Sequence, residues 1–598
     1  MRHRGPDGEG LFSSENVAFG HVRLSIIDVA GSQQPLPNED ESVWVTFNGE
    51  IYNYRDLRKE LLAKGHNLRT QGDTEVLVHL YEEYGTEMLD RLQGMFAFAI
   101  WDKRVRRLFL ARDRIGIKPL YYCQRGDDFV FASELKAFFE HPEIEVQPDI
   151  EGVWQYLTYR SNPAPGTLFK DMFKVNSGSY LIVTEAGVKS ACFWDIPLVG
   201  RDNAEPVKRQ SLHEVEEKVE SLLKTSVKRR LVSDVPVGAF LSGGVDSSLI
   251  VALMSELSNA PVRTYSVGFR NSPLSELSHA KVVADKYETD HHELILEGSR
   301  FVDHLEKLTW IRDSPLSEPA DVPLYLLSQM ARRDVKVLLS GEGCDELFGG
   351  YPKYAYDRFS RAFSWLPRGC SSRIAAALPG RLRRAEIAFR SLCEPDPADR
   401  WALWFSPFTT QQKASLMPSY RSQANPTGQY VARSKGACPF DAMLYTDCKL
   451  WLPDNLLDRG DRMTMAASVE GRVPFLDHEL VEYAFSLPAA MKVRGMTRKW
   501  IIKRIALKYL PDSIVNRKKI GFRLPLTEWF RGELRDTCYD RICSRRGLLA
   551  DILDVQALRG VLDDHCSGKK DNWIQIYALL MLSVWSDVFC QRAVPKTL

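Results

Sequence analysis

Short, largely apolar β-like runs broken by turn residues fill the first third of the chain, and the pattern changes to that of helices and crossover units after about residue 210. Val43-Trp44-Val45-Thr46-Phe47, Phe96-Ala97-Phe98-Ala99-Ile100-Trp101 and Arg107 to Leu110 read as strands. Asn48-Gly49, following the first of them, has the composition of a hairpin turn. Tyr54 to Lys64 and Asp73 to Tyr84 carry apolar residues at three and four spacing and are predicted helices. Many strands with few helices predict sheets stacked under helical layers.

The polar, proline-containing stretch Pro197 to Gln210 reads as a linker. Ser211 and Glu214 then stand at capping-box spacing before Leu212, Val215, Val219, Leu222, Leu223 and Val227, which share one helical face. The pattern beyond is strand, loop, helix: Val235 to Leu241, Ser247 to Leu257, Arg263 to Phe269, then Leu324 to Ala331 and Val335 to Leu339. That succession predicts a parallel sheet with crossover helices. From about residue 355 the chain is helix-rich and punctuated by prolines.

At 598 residues the chain exceeds what one hydrophobic core fills, so at least two domains are expected. A formal charge of +1, from 79 basic and 78 acidic residues, gives no global field toward nucleic acid or an anionic membrane. The basic run Lys499 to Lys508 alternates with apolar residues and reads as the solvated face of a helix. Eleven scattered cysteines, without Cys-x-x-Cys or Cys/His zinc spacing, suggest reduced thiols. The first residues have no apolar signal-peptide region, and the apolar stretch Ile574 to Trp585 is too short to cross a bilayer, so a cytoplasmic protein is expected.

Two loops carry the chemistry. Ser242-Gly243-Gly244-Val245-Asp246-Ser247-Ser248 lies between a predicted strand and a predicted helix, where glycines let backbone N–H groups and a helix N-terminus approach phosphate. Asp246 would repel phosphate unless Mg²⁺ lay between them. The string lacks the Gly-Lys-Ser/Thr ending of a Walker A loop, which disfavours γ-phosphoryl transfer and favours cleavage between the α- and β-phosphates. The second loop, Ser340-Gly341-Glu342-Gly343-Cys344-Asp345-Glu346, places three acidic residues within five positions after a buried strand. Repulsion and desolvation there call for a metal, a cation or a shared proton.

These loops, with Ser266 to Phe269, Asp454 to Arg459, Asp461-Arg462-Met463, Glu470 to Asp477 and Asn516 to Phe522, resemble the glutamine-dependent asparagine synthetases over essentially the whole chain. The resemblance implies an α/β protein of two parts. An N-terminal-nucleophile glutaminase domain, an αββα sandwich, spans 1–195, and a parallel-sheet ATP pyrophosphatase-type domain with a helical C-terminal extension spans 205–598. By resemblance Leu241, Ser242, Gly243, Gly244, Val245, Asp246, Ser247, Val267, Ser340 and Gly341 hold ATP and pyrophosphate. Asp246 and Asp345 hold Mg²⁺, Glu342 deprotonates ammonium, and Lys519 steadies charge at the α-phosphorus.

The N-terminal strings Arg4 to Gly8, Gly20 to Ile26, Phe47 to Asn53 and Gly72 to Glu75 resemble the class II glutaminase domain. There Arg23 and Asp73 would pair with the carboxylate and amino group of glutamine, Asn48 and Gly49 would form the oxyanion hole, and Glu50 would add to binding. Arg112 to Tyr121 reads as scaffold near the domain junction. Cys344 and Gly72 stand where the family commonly has another small residue and serine. The family's nucleophile, a cysteine at position one, has no counterpart here. A start codon assigned too late is the expectation, and the chain as written would use free ammonia only.

The resemblance thus implies amidation of aspartate through β-aspartyl-AMP, releasing AMP and pyrophosphate, with a homodimer as the family's assembly. Three readings stay beside it: amidation of another carboxylate in a surface polysaccharide or secondary metabolite, β-lactam ring closure, and a non-catalytic interaction protein.

Overall fold

The computed structural model describes residues 1–201, 210–269, 275–296, 301–363, 374, 383–517, 524–544, 549 and 551–590. Before residue 195 the strands are β1 (Gly8–Ser14), β2 (Val17–Arg23), β3 (Leu36–Pro37), β4 (Val43–Ile51), β5 (Gly94–Asp102), β6 (Arg107–Arg112), β7 (Tyr121–Arg125), β8 (Asp128–Ala132), β9 (Met172–Lys174), β10 (Ser179–Thr184) and β11 (Gly187–Cys192). An antiparallel sheet runs in the order β11-β10-β6-β5-β4-β3. Its central strand β5 is apolar at successive positions because both faces are covered. Phe96, Phe98 and Ile100 join the core under helices Tyr54–Ala63 and Glu75–Tyr84, while Ala97, Ala99 and Trp101 face a second β layer. That layer is the β1-β2 hairpin and the sheet β8-β7-β9, whose outer face packs on helix Ile150–Tyr159. The αββα stacking follows.

Asn48-Gly49 corrects one expectation, since it is not a turn. β4 continues through it to Ile51, opposite Ala97 and Phe96 of β5. Gly49 has φ +149°, and a Cβ there would lie 2.0 Å from the Met95 carbonyl oxygen. Close approach of two strands, and not chain reversal, requires this glycine.

The capping box at Ser211 is complete, with Glu214 N donating to Ser211 Oγ at 3.3 Å and Ser211 N to Glu214 Oε2 at 2.6 Å. Most of the predicted linker, 202–209, lies outside the described residues. After helix Leu212–Arg230 come β12 (Val237–Phe240), β13 (Arg263–Phe269), β14 (Asp290–Leu296), β15 (Val337–Leu339) and β16 (Glu470–Arg472), in a wholly parallel sheet ordered β14-β13-β12-β15-β16. Helix Val245–Leu257 is apolar all round, and Leu249 to Met254 are all buried.

Hydrophobic packing does not stop at the linker. Trp154, Tyr156 and Phe169 share a core with the C-terminal helix Trp573–Cys590, and Tyr156 Oη donates to the Ala578 carbonyl at 3.1 Å. That helix is spent on this core, and among the described residues no helix is long and apolar enough to cross a membrane.

Candidate active site

The strand order of the parallel sheet reverses at β12: β13 and β14 are added on one side, β15 and β16 on the other. Loops leaving the carboxyl ends of β12 and β15 therefore flank a crevice, the usual ligand position in such sheets. Ser242 to Ser247 leaves β12, and Ser340 to Asp345 leaves β15. The first loop turns at Gly243, φ +66°, where a Cβ would meet the Ala280 backbone nitrogen at 2.5 Å. Its serines interlock: Ser242 Oγ and Ser247 Oγ are 3.0 Å apart, Ser242 N donates to Ser247 Oγ at 3.2 Å, and Gly244 N donates to Ser242 Oγ at 3.3 Å. Val245 and Asp246 open the helix, so its N-terminal N–H groups face the same space.

The second loop is pressed against the first. A Cβ on Gly341 would lie 2.8 Å from both Asp246 Cβ and Ser247 N. Lys499, at the start of helix Trp500–Ala506, reaches between the loops, its Nζ 2.6 Å from Asp246 Oδ2 and 2.6 Å from Asp345 Oδ1. The reading of Lys499 as one end of a solvated face is corrected here, since only 5% of the residue is exposed. Burial opposes its charge, but the carboxylates of Asp246 and Asp345 outweigh it and hold the ammonium well above the usual lysine range. The remaining oxygen of Asp246, Oδ1, is buried without a hydrogen-bond partner. Two carboxylates converging on one cation, with an oxygen to spare, suit a divalent ion beside phosphates.

Arg517 is a second cation at this loop. Its Nη2 donates to Glu276 Oε1 at 2.5 Å and would lie 4.0 Å from a Cβ placed on Gly244, while Nε and Nη1 are buried without hydrogen bonds. Lys519 lies outside the described residues. Leu241 and Val267 sit at the ends of neighbouring strands, joined where Ser266 Oγ donates to the Leu241 carbonyl. Ser340 is fixed by its N–H, donated to the Arg472 carbonyl at 2.9 Å. Cys344 is fully buried, and desolvation, followed by the charge of Asp246, pushes its thiol well above the usual range. Glu346 lies beneath the loop and accepts from Tyr351 Oη at 2.5 Å; burial and then Asp345 push its carboxyl up to about 7.

Glu342 points away from this pair. Its Oε1 accepts from Arg459 Nη2 at 3.0 Å, and a Cβ on Gly460 would come within 2.9 Å of Oε2. Glu342 lines a narrow cavity with Leu324, Leu457, Gly460 and Val473, and Ile117 of the N-terminal segment lines it as well. Helix Asp458–Met465 builds this junction. It gives Arg459 to Glu342, Asp461 to Arg4 at 2.8 Å and Lys118 at 3.3 Å, and Arg462 to Glu134 at 3.0 Å. Sequence reasoning missed Lys499, Arg459 and Arg517 as site residues, because a basic side chain in or beside a helix looks like its solvated neighbours until folded.

The N-terminal candidates gather at the edge of the six-stranded sheet. Arg23 is buried and donates to the carbonyls of Ile27, Asp28 and Val29 at 2.8–3.1 Å, which bends that loop around its guanidinium. Asp73 Oδ2 accepts from Ile51 N at 2.9 Å, and burial raises its carboxyl to about 6. Asn48 Nδ2 is 3.5 Å from Ser133 Oγ. Glu50 is turned toward the other half of the molecule and pairs with Arg472 of β16 at 3.0 Å. Its side chain is thus committed to the junction. Gly72 is explained by Ser32, whose Oγ lies 2.1 Å from where a Cβ would stand. Arg112 to Tyr121 is scaffold, as expected. Asp113 accepts from the N–H groups of Ile115, Gly116, Ile117 and Lys118, and Lys118 Nζ is 3.4 Å from Glu470.

The fold and site define an α/β nucleotide-dependent synthetase joined to a stacked-sheet amidotransferase unit. Residues 218–587 match the family model described as asparagine synthase, and residues 1–194 match the glutamine amidotransferase domain. The chain is 36% identical to Bacillus subtilis "Asparagine synthetase [glutamine-hydrolyzing] 1" over 598 residues, covering 99% of this chain and 92% of that one. It is 34% identical to "Putative asparagine synthetase [glutamine-hydrolyzing]" of Mycobacterium bovis, over 99% of this chain and 93% of the relative. The B. subtilis "Asparagine synthetase [glutamine-hydrolyzing] 3" is 34% identical over 87% of this chain and 82% of its own. The chain belongs to the asparagine synthase family.

Proposed function

We propose that this protein forms asparagine from aspartate, ATP and an ammonia equivalent, with residues 1–195 as the glutaminase and 205–598 as the synthetase. One observation carries the reading: the two loops abut at the sheet's switch point, with Asp246 and Asp345 converging on Lys499 and Glu342 turned into the cavity reaching Ile117. Ser242 to Ser247 would bind the β- and γ-phosphates through backbone N–H groups, and Arg517 would face them. Leu241, Val267, Ser340 and Gly341 would frame adenosine and the α-phosphate. Asp246 and Asp345 would hold Mg²⁺, which when bound neutralises phosphate charge.

Aspartate's β-carboxylate oxygen attacks the α-phosphorus, the bond to the β-phosphate's bridging oxygen breaks, and pyrophosphate leaves. Lys499, Arg517 and, outside the described residues, Lys519 supply the positive charge that this step requires. Glu342 takes a proton from ammonium, ammonia attacks the acyl carbon of β-aspartyl-AMP, and AMP departs. Arg459 holds the Glu342 carboxylate toward the cavity, whose apolar lining keeps water from the adenylate. Glutamine would be held by Arg23, Asn48, Gly49 and Asp73, with Glu50 contributing backbone only.

Release of AMP and pyrophosphate across a panel of carboxylic acids, with ammonia and then glutamine as donor, tests the reading. Stimulation by aspartate is expected; stimulation by a different acid and not by aspartate would assign another amidation. A homodimer and a cytoplasmic location complete the proposal, checked by light scattering and by fractionation.

A further inference from the structure

Glu75, His79 and Glu82 follow one another at helical spacing along Glu75–Tyr84, on the side facing Glu39 and His66. The His79 side chain is completely buried, yet neither ring nitrogen has a hydrogen-bond partner. Nδ1 lies 3.5 Å from Glu39 Oε2 and 3.5 Å from Glu82 Oε2, and Nε2 lies 3.8 Å from Glu75 Oε1. The His66 ring is 4.9 Å from the His79 ring, centroid to centroid. His66 Nδ1 faces Glu39 Oε1 at 3.9 Å, and Nε2 is 3.1 Å from Glu83 Oε1. One ligand atom from each of Glu39, His66, His79 and Glu82 lies within 4.8 Å of all the others.

Three details distinguish this group from a chance cluster. The 3.5 Å separations exceed the usual range of about 2.7–3.2 Å for N–H···O hydrogen bonds. They are close to the spacing of about 3.3–3.4 Å between ligands held 2.0–2.1 Å from a tetrahedral ion. The far nitrogen of each histidine faces a carboxylate, Glu83 for His66 and Glu75 for His79, the arrangement that fixes the tautomer of a metal-bound imidazole. Finally, the outer carboxylate oxygens are already held. Glu39 Oε1 accepts from Asn67 N at 2.9 Å, and Glu82 Oε1 from Asn38 Nδ2 at 2.8 Å and Arg104 Nη1 at 3.3 Å. One oxygen of each is left facing inward.

We propose that Glu39, His66, His79 and Glu82 form a structural binding site for a divalent zinc-class ion. Two carboxylates balance the ion's charge, and four protein ligands leave no open position for catalysis. The competing reading is a protonated His79 in an acidic cage. Burial disfavours that charge, but Glu75, Glu82 and Glu39 lift the imidazole to about 9. It accounts for the charge while leaving Nδ1–H, between two carboxylate oxygens, without a hydrogen bond in the interior, whereas an ion would occupy that nitrogen. The ion would tie the Glu39 loop, the turn at His66 and the helix together. Between them runs Arg69 to Asp73, whose Arg69 N and Thr70 N donate to Glu75 at 2.7 Å and 2.6 Å, so the site would steady the segment that presents Asp73.

The test uses the full chain and zinc alone. Chelator-stripped protein is titrated with Zn²⁺ against a competing chromophoric chelator, bound metal is measured by mass spectrometry, and X-ray absorption reads the ligand set. A single tightly held zinc per chain is expected, with only N and O neighbours at about 2.0–2.1 Å. His79→Gln and the partly exposed His66→Gln should abolish it, and Glu83→Gln should weaken it about 10–100-fold. His213→Gln, far along the chain on an exposed helix turn, should leave it unchanged. Zinc should raise the melting temperature of the wild type and not of His66→Gln. Absence of stoichiometric zinc, or retention undiminished in His66→Gln and His79→Gln, would overturn the proposal.

Discussion

Replacing Lys499 with methionine keeps the length of the side chain and removes the charge on which Asp246 and Asp345 converge. The ammonium is 2.6 Å from each carboxylate, and the three side chains are 6%, 16% and 13% exposed, so water replaces little of what is lost. Removing one partner from a buried ion pair costs about 3–5 kcal/mol, chiefly because the other charge is stranded. Two carboxylates share this cation, and the upper part of that range is expected. The same deletion withdraws positive charge from the phosphate loop, where loss of one fixed donor to a developing oxyanion typically lowers turnover ~10²–10³-fold. Two assays separate the effects. Denaturant unfolding of the apoprotein should shift to a lower midpoint with an unchanged slope, and aspartate-dependent pyrophosphate release should fall at saturating ATP. A Lys499→Met protein with wild-type midpoint and turnover would refute the reasoning that the two loops are joined through this ammonium.

Glu342→Gln removes the base facing the cavity but leaves the phosphate loop intact. Asparagine formation should drop ~10²–10⁴-fold while aspartate-dependent exchange of pyrophosphate into ATP persists; full aspartate-dependent AMP formation would sink the assignment. Asp73 is raised to about 6 by burial, so it becomes anionic only as pH rises through that value. Glutamine affinity measured by calorimetry should therefore weaken as pH falls through about 6, and an affinity flat across that interval would remove Asp73 from the amino-group site. Arg472→Met strands Glu50 and Glu470, which lie 3.0 Å and 2.9 Å from its guanidinium. Unfolding free energy should fall by about 3–5 kcal/mol, and an unchanged value would show that the junction does not need the pair.

Much of this fold was legible because its signals are local. The capping box at Ser211 needs only two side chains and their own backbone, and both bonds are present. The β5 run was legible as a strand from its composition, although only the structure shows both of its faces covered. The phosphate loop was legible for a similar reason, since glycines at a strand-to-helix turn are demanded by nearby backbone. What could not be read depends on distant partners. Asn48-Gly49 has hairpin composition, but its glycine answers to Met95 on the neighbouring strand. Lys499 looked like its solvated neighbours, and only the packing of helix Trp500–Ala506 against two loops, some 150 and 250 residues earlier, turns it inward. Glu50 was expected at glutamine, yet Arg472, far along the chain, claims its carboxylate. Gly72 likewise makes sense only beside Ser32.

In the proposed reaction a carboxylate oxygen attacks the α-phosphorus of ATP at the Ser242 loop. Aspartate labelled with oxygen-18 in its β-carboxylate tests this most directly, with the products separated and weighed by mass spectrometry. Label transferred into AMP, with unlabelled pyrophosphate, is the predicted result. Label in inorganic phosphate with ADP as co-product, or unlabelled AMP alongside asparagine, would contradict it.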